Sequence, residues 1–288
     1  PEMSRGLGDV YKRQITINFN NAEGLRKTIK SVVDQTNQEY EYIVIDGGSS
    51  DTSKEVIMQY QEHISYWCSE KDTGIYNAMN KGLSKATGEY LLFLNSGDYL
   101  HDSLVLEDML QLLFKEDIIY GDLLFMDSAG KGEVFKYPNV LNIDYFLERS
   151  LGHPASFIKR SLFQDSLYSE SFKIVSDWEF FVKKIVLEAV SYKHVERTIS
   201  VFDTSGVSSQ SLNLCNKERE QVLLHFFPGM LLDSLQSAAY IRKQPLYELF
   251  CELSATRRFQ YRVKPFIAFL LKVNQLFSKK KERNAHFL

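Results

Sequence analysis

Short apolar runs alternate along this chain with segments whose apolar positions recur at helical spacing. Ile15-Thr16-Ile17-Asn18-Phe19 predicts a first strand. Asn20 or Asn21 then caps a helix with Leu25, Ile29, Val32 and Val33 along its inner face. Tyr40 to Ile45 predicts a second strand, followed by a helix that starts at Asp51 or Thr52 and turns Val56, Ile57 and Tyr60 inward. Ile64 to Cys68 is the third strand. Thr73 or Gly74 opens a helix with Ile75, Met79 and Leu83 on one face, and Gly88 closes the connection to a fourth strand, Tyr90 to Leu94. The order β-α-β-α-β-α-β predicts an α/β protein with a mostly parallel central sheet flanked by helices.

Beyond residue 100 the pattern changes. Asp117 to Met126 and Glu133 to Tyr137 are strand-like, and Asp127 to Gly132 reads as the hairpin turn between them. Ser176 to Val190 predicts a helix, Tyr192 to Phe202 a strand, and the chain from about Asn213 is helical. Residues 15–100 and 101–212 are therefore expected to form two halves of one domain, with 213–288 as a helical extension. Residues 1–14 lack the apolar run expected of a first buried strand and are read as a non-native segment. Arg257 to Lys264, Phe266 to Leu271 and Lys279 to Lys281 alternate basic and apolar blocks. They read either as an interfacial helix on an anionic membrane or as a terminal helix packed on the domain.

The bulk numbers narrow the classes. With 288 residues, 44% hydrophobic and 25% charged, the chain has the composition of a folded protein. A net charge of −3 gives no argument for nucleic acid. Three widely spaced cysteines, without CxxC, suggest neither zinc nor a disulfide framework and fit a reducing compartment. No apolar run reaches bilayer length. Familiar phosphate and nucleophile motifs are missing: there is no GxGxxG after strand one, no GxxxxGK[ST] and no GxSxG.

What remains is a set of acids at strand ends. Asp46 ends strand two, Asp72 follows strand three and Asp98 follows strand four, so all three fall at the carboxyl edge of one sheet, where ligands bind in such folds. Asp46 is placed to accept hydrogen bonds from a base or ribose, and Asp98 to hold a divalent cation against a diphosphate. Any one of these acids taken alone is an ordinary turn or cap residue.

Four stretches carry a resemblance. Ile17-Asn18-Phe19-Asn20, Ile45 to Asp51, Glu70 to Gly82 and Gly88 to Asp98 resemble glycosyltransferase family 2, in particular its bacterial surface-polysaccharide members. The resemblance implies a GT-A fold, the nucleotide-diphospho-sugar transferase fold, and an inverting, metal-dependent transfer, most simply from a UDP-sugar. It implies nucleotide-sugar contacts from Ile17, Asn18, Asn20, Asp46, Ser49, Asp72, Asn80, Asn95 and Ser96, with Asp98 as the Mg²⁺ or Mn²⁺ ligand. The motif departs from the family pattern here, since Asn95-Ser96-Gly97-Asp98 keeps one carboxylate. The family also places a general base at the start of a later helix, and Asp177 and Glu179 compete for that role. Ser176 and Glu179 form an S-x-x-E pattern that would occupy Glu179 as a capping box, which leaves Asp177, at the positive end of the helix dipole, as the base. The resemblance places His153 on the acceptor or diphosphate side, and Trp178 is expected to stack on the acceptor sugar, each with a structural alternative. The expected partners are a nucleotide-diphosphate sugar, a saccharide or lipid-linked saccharide acceptor and an anionic membrane surface, but not nucleic acid. The expected location is cytoplasmic, peripheral on the inner face of the cell membrane. A sugar-nucleotidyltransferase lacks support, because the stretch after strand one is not its Gly-rich loop. A non-catalytic nucleotide- or sugar-binding relative is the other alternative, kept open by Gly97.

Overall fold

The computed structural model describes residues 12–112, 115–127, 130–204 and 211–285. It divides into two units, residues 1–228 and 229–288.

The first unit is built on β1 (Lys12–Asn18), β2 (Glu41–Asp46), β3 (Tyr66–Ser69) and β4 (Tyr90–Asn95), all parallel, in spatial order β3-β2-β1-β4. The connections are α1 (Ala22–Val33), α2 (Ser53–Gln59) and α3 (Ile75–Lys85). Both faces of the central strands are covered: residues 42–45 and 90–94 are without solvent exposure. That is why these strands read as continuous apolar runs rather than as alternation. Helix α1 starts as expected, with the Asn21 side chain accepting from Gly24 N. At the next helix Asp51 bridges two starts, accepting from Ser53 N and from Ala22 N.

The other half of the sheet is mixed. β5 (Tyr99–Leu100), α4 (Val105–Gln111), β6 (Ile118–Met126), β7 (Gly132–Phe135), α5 (Ile143–Glu148), β8 (Ser156–Lys159), α6 (Ser176–Phe181) and β9 (Tyr192–Asp203) follow in chain order. The sheet continues β4-β8-β6-β9-β5, with β7 on β6. β8 enters antiparallel between β4 and β6, a four-residue strand too short to announce itself in the sequence. α6 runs on as one stretch of π-helix, Val182–Leu187, and ends before the predicted Val190.

Two expectations change. Residues 12–14 were grouped with the non-native segment, but they extend β1, with Gln14 in register with Tyr42 and Leu92. The rest of that segment, residues 1–11, lies outside the described residues, as do residues 128 and 129 of the predicted hairpin turn. Helix α7 (Leu212–Phe226) was expected to open the C-terminal extension, but it belongs to the first unit, where it buries Glu218, Val222 and Leu223. The second unit contains α8 (Gly229–Arg242), α9 (Tyr247–Ser254) and α10 (Arg257–Ala285), with Pro265 inside α10.

Candidate active site

The parallel register sets Asn18, Asp46 and Ser69 level with one another and pairs Ile17 with Asn95. The carboxyl edge of the sheet thus presents polar side chains from four strands in one row.

At the β1–β2 end these groups close on one another. Asp46 Oδ1 accepts from Asn18 Nδ2 (2.6 Å) and Ser49 Oγ (2.6 Å), and Oδ2 accepts from Ser49 N (3.0 Å) and Ser69 Oγ (2.7 Å). Burial alone would raise the Asp46 carboxyl, but the bonds from Ser49, Ser69 and Asn18 outweigh it and hold the group below its ordinary range. Asn20, in the left-handed region at φ 49°, donates its N–H to Ser49 Oγ and accepts from Ser50 N. Ile17 is buried beneath this knot, and Phe19 beyond it is exposed.

Sequence reasoning made Asp46 a direct nucleoside contact. The structure instead gives it 0% exposure and four donors, so its work is to hold the 47–51 loop. Asp72 reaches the same edge, because Gly47 has no Cβ: one built there would lie 2.3 Å from Asp72 Oδ2. Burial raises the Asp72 carboxyl, and the Asp46 charge adds to that. Asn80, expected at the nucleotide, is spent elsewhere. Its amide donates to Tyr168 O and Glu170 Oε1 and accepts from Tyr168 N, fastening α3 to the 168–170 segment.

A cavity of about 400 Å³ opens beside this row. Asn95, Ser96 and Asp98 line one end, and His153, Asp177 and Arg219 also line it. Gly97 takes φ 109°, a conformation suited to glycine, and turns the chain so that Asp98 lies beneath the cavity floor at 4% exposure. Asp98 Oδ1 accepts from Asp203 N at 3.0 Å. Burial pushes the Asp98 carboxyl up to about 7, opposed by the charge of His153 and reinforced by that of Asp203.

Asp177 is held on both oxygens. Tyr76 OH donates to Oδ1 at 3.0 Å, and His153 Nδ1 lies 3.0 Å from Oδ2. The single Tyr76 O–H is shared with Ile174 O at 2.6 Å, which ties α3 to the segment before α6. Two buried polar atoms of cavity-lining residues have no protein partner, Asn95 Oδ1 and His153 Nε2. A carboxylate can only accept, so the His153 Nδ1–H is the donor to Asp177, which leaves Nε2 as the ring nitrogen without a protein partner.

Glu179 does not line the cavity, and burial raises its carboxyl. The predicted capping box is absent. Val175 is the cap residue, no side chain caps the helix, and Ser176 Oγ accepts from Ser169 N instead. Trp178 is not placed to stack freely on a sugar. It is 2% exposed, its indole N–H donates to Phe146 O and Arg149 O, and the Arg219 guanidinium covers its ring at 4.7 Å. Three residues of the site carry no motif and were not foreseen: Asp203 at the end of β9, and Glu218 and Arg219 on α7. Glu218 is buried and accepts from Lys173 N (2.9 Å) and Ile174 N (3.0 Å), fixing the segment that leads to Asp177.

The donor set suits a hard divalent cation. Asp98 supplies a carboxylate, Asp203 a second close by (3.5 Å from where a Gly97 Cβ would be), and His153 a ring nitrogen, Nε2, without a protein partner. Among the described residues no three His, Cys, Asp or Glu side chains gather into a self-sufficient metal site. A cation here would therefore share its shell with a ligand's oxygens, as Mg²⁺ commonly does with phosphates.

Sheet, strand-end acids and cavity together define a GT-A glycosyltransferase architecture. The family model "Glycosyl transferase family 2" matches residues 15–165, and the chain belongs to that family. An uncharacterised glycosyltransferase of Mycobacterium tuberculosis (strain H37Rv) is 34% identical over 201 residues, covering 68% of this chain and 76% of the relative. A PGL/p-HBAD biosynthesis glycosyltransferase of Mycobacterium bovis (strain BCG Pasteur) is 25% identical over 202 residues, 67% of this chain and 77% of that protein. Solved structures share the fold. The mannosyltransferase PcManGT of Pyrobaculum calidifontis, in complex with GDP-Man and Mn²⁺, superposes with a TM-score of 0.58 at 13% identity, covering 91% of this chain and 81% of the other. S. aureus TarS 1-349 in complex with UDP-GlcNAc gives 0.57 at 19% identity and 70% of this chain, which spans only 61% of the staphylococcal one.

Proposed function

We propose that this protein transfers a sugar, with inversion, from a nucleotide-diphosphate sugar to a saccharide or lipid-linked saccharide acceptor in the assembly of a bacterial surface polysaccharide. The observation that carries the reading is the meeting of Asp98, His153 and Asp177 in one cavity at the carboxyl edge of a family 2 sheet. A UDP-sugar is the favoured donor, in keeping with the UDP-GlcNAc complex of the structural neighbour.

The residues divide the work. The Asn18–Asp46–Ser49–Ser69 knot keeps the 47–51 loop in shape for the nucleoside, with Asp72 at the same edge. Asp98, aided by His153 Nε2 and Asp203, would hold Mg²⁺ or Mn²⁺, which would neutralise the diphosphate as it leaves. Asn95 Oδ1 and Ser96 lie at that end for the donor's hydroxyls or amide. Asp177 takes the proton of the acceptor hydroxyl. That oxygen forms the new bond to the anomeric carbon as the bond from that carbon to the diphosphate oxygen breaks, so the nucleoside diphosphate leaves with the electron pair. Tyr76 and His153 aim the carboxylate and keep it from rotating.

Calorimetric titration of UDP, GDP, dTDP and CMP, each with Mn²⁺ and with EDTA, tests the reading. Metal-dependent binding of one nucleoside diphosphate is expected. No binding of any of them to the folded protein would overturn it and favour a non-catalytic relative.

We also propose that α10 rests on an anionic membrane surface on the cytoplasmic side. Phe266 and Phe269 are 63% and 60% exposed, with Ile267, Leu270 and Leu271 exposed beside them. Residues 257–281 include eight Lys or Arg and no Asp or Glu. Among the described residues no helix is long and apolar enough to cross a membrane. A basic helix with exposed apolar side chains suits the headgroup boundary. Co-sedimentation with anionic but not zwitterionic vesicles is the expected result, and equal behaviour with both would overturn the proposal.

A further inference from the structure

A half-buried guanidinium normally finds a carboxylate, because an unpaired charge is expensive to keep away from water. Arg219 lines the cavity and has none. Among the described residues, its one hydrogen bond is from Nη1 to Glu148 O at 3.0 Å, and its Cζ lies over the Trp178 ring at 4.7 Å. Burial lowers its pKa, a sign that the site bears a real desolvation burden. Lys173, on the segment before α6, lines the same cavity and also makes no ion pair with a carboxylate among the described residues. Two cations without a carboxylate partner among the described residues thus line one cavity.

Their position along the cavity matters. Asp98 sits beside Asp203, whose N–H it accepts. Asp177 is bonded by Tyr76, whose hydroxyl also reaches the carbonyl of Ile174, the residue after Lys173, and Arg219 lies over the ring of Trp178, the residue after Asp177. Both cations therefore neighbour the base, where the accepting molecule would sit.

We infer that Arg219 and Lys173 form an anion subsite on the acceptor side, so that the acceptor carries a phosphate or carboxylate close to its accepting hydroxyl. The inference rests on the transferase reading above and deepens it. A planar fork such as Arg219 suits both oxyanions, and its stacking on Trp178 fixes the plane in which the fork is presented. The same chemistry could come from a uronic acid or from a sugar linked through phosphate to its carrier.

The test uses the full chain saturated with Mn²⁺ and the nucleoside diphosphate it binds, so that the donor end is filled. Methyl glucoside, glucuronate and glucose 1-phosphate are titrated as neutral, carboxylate and phosphate probes, with saturation-transfer NMR as the readout. At least one anionic probe is expected to bind about tenfold more tightly than methyl glucoside, and which one does so tells carboxylate from phosphate. Arg219→Gln should erase that preference with nucleoside diphosphate affinity unchanged. Lys173→Gln, an exposed position, should weaken it without any risk to folding. Equal binding of all three probes, or a preference that survives both substitutions, would overturn the inference while leaving the transferase reading intact. Loss of the transferase reading has its own signature, the absence of nucleoside diphosphate binding in the wild-type chain.

Discussion

His153 Nδ1 lies 3.0 Å from Asp177 Oδ2, joining two side chains that are 24 residues apart and come from different elements. The imidazole donates, the carboxylate accepts, and Tyr76 holds the other oxygen. A base anchored in this way keeps its orientation when an acceptor arrives. Asp177→Asn keeps the shape but loses the proton acceptor. Transfer should fall by about 10²- to 10⁴-fold, the usual worth of a general base, while nucleoside diphosphate affinity stays within about twofold. Full turnover by this variant, measured by product chromatography with the donor identified by calorimetry, would remove Asp177 from the mechanism.

Glu218 acts on the same carboxylate from a distance. Its two oxygens hold the N–H groups of Lys173 and Ile174, and Ile174 O receives Tyr76. Glu218→Gln turns one of those contacts into donor against donor, at a cost of about 1–3 kcal/mol for a buried unsatisfied group. The expected signature is a lower kcat with little change in nucleotide affinity. A fall in nucleotide affinity matching that in kcat would indicate general loosening instead.

Asp46 links stability to pH. Its pKa is depressed in the folded chain, so the unfolded chain binds the proton more readily. Its contribution is present above the ordinary carboxylate pKa of about 4 and is lost as the pH falls through the lower folded value. Asp46→Asn should destabilise the protein by about 2–3 kcal/mol near neutrality, since buried donors lose an ionised partner. The deficit should shrink below about pH 4, the ordinary carboxylate value, where the unfolded wild-type chain begins to take up the proton. Urea denaturation at both pH values checks this, and a deficit independent of pH would contradict it.

Gln14 is a flaw in the core. It is 1% exposed in β1, and neither its amide nitrogen nor its oxygen has a partner among the described residues. Gln14→Ile should stabilise the fold by about 1–3 kcal/mol, because two unsatisfied groups are exchanged for a β-branched apolar side chain. A lower urea midpoint in the variant would mean that the amide has a role its surroundings do not reveal.

The α10 helix offers a separate test. Phe266→Glu combined with Phe269→Glu places two charges on exposed apolar positions, where folding should tolerate them. Vesicle binding should drop at least tenfold, with transfer to a short soluble acceptor unchanged. Retained binding to anionic vesicles would point to the basic residues alone.

The parallel half of the fold was legible because its strands are buried on both faces and its helices on one. Those are the patterns that a string of residues records directly. The row Asn18, Asp46, Asn95 followed from strand ends at equal depth. The mixed half was less legible: β8 is four residues long, and its place between β4 and β6 depends on pairing across long separations. The site residues missed, Asp203, Glu218 and Arg219, lie in no motif; only packing brings Asp203 and Arg219 to the cavity and Glu218 to the segment behind it. For Asp46 and Asn80 the structure adds protein partners that the sequence did not announce, for a shared reason. Spacing shows that a polar side chain reaches an edge but not which neighbour has already claimed it. A capping box at Ser176 failed because Ser169 N took the hydroxyl first.

The family match ends at residue 165, whereas Asp177, Glu218 and Arg219 come later in the chain. The two ends of the cavity are therefore drawn from different stretches of the chain, one from the turn after β4 that carries Asn95 and Asp98, the other from α6 and α7 with Asp177 and Arg219. A chain trimmed to residues 15–165 would lack Asp177, Glu218 and Arg219 together.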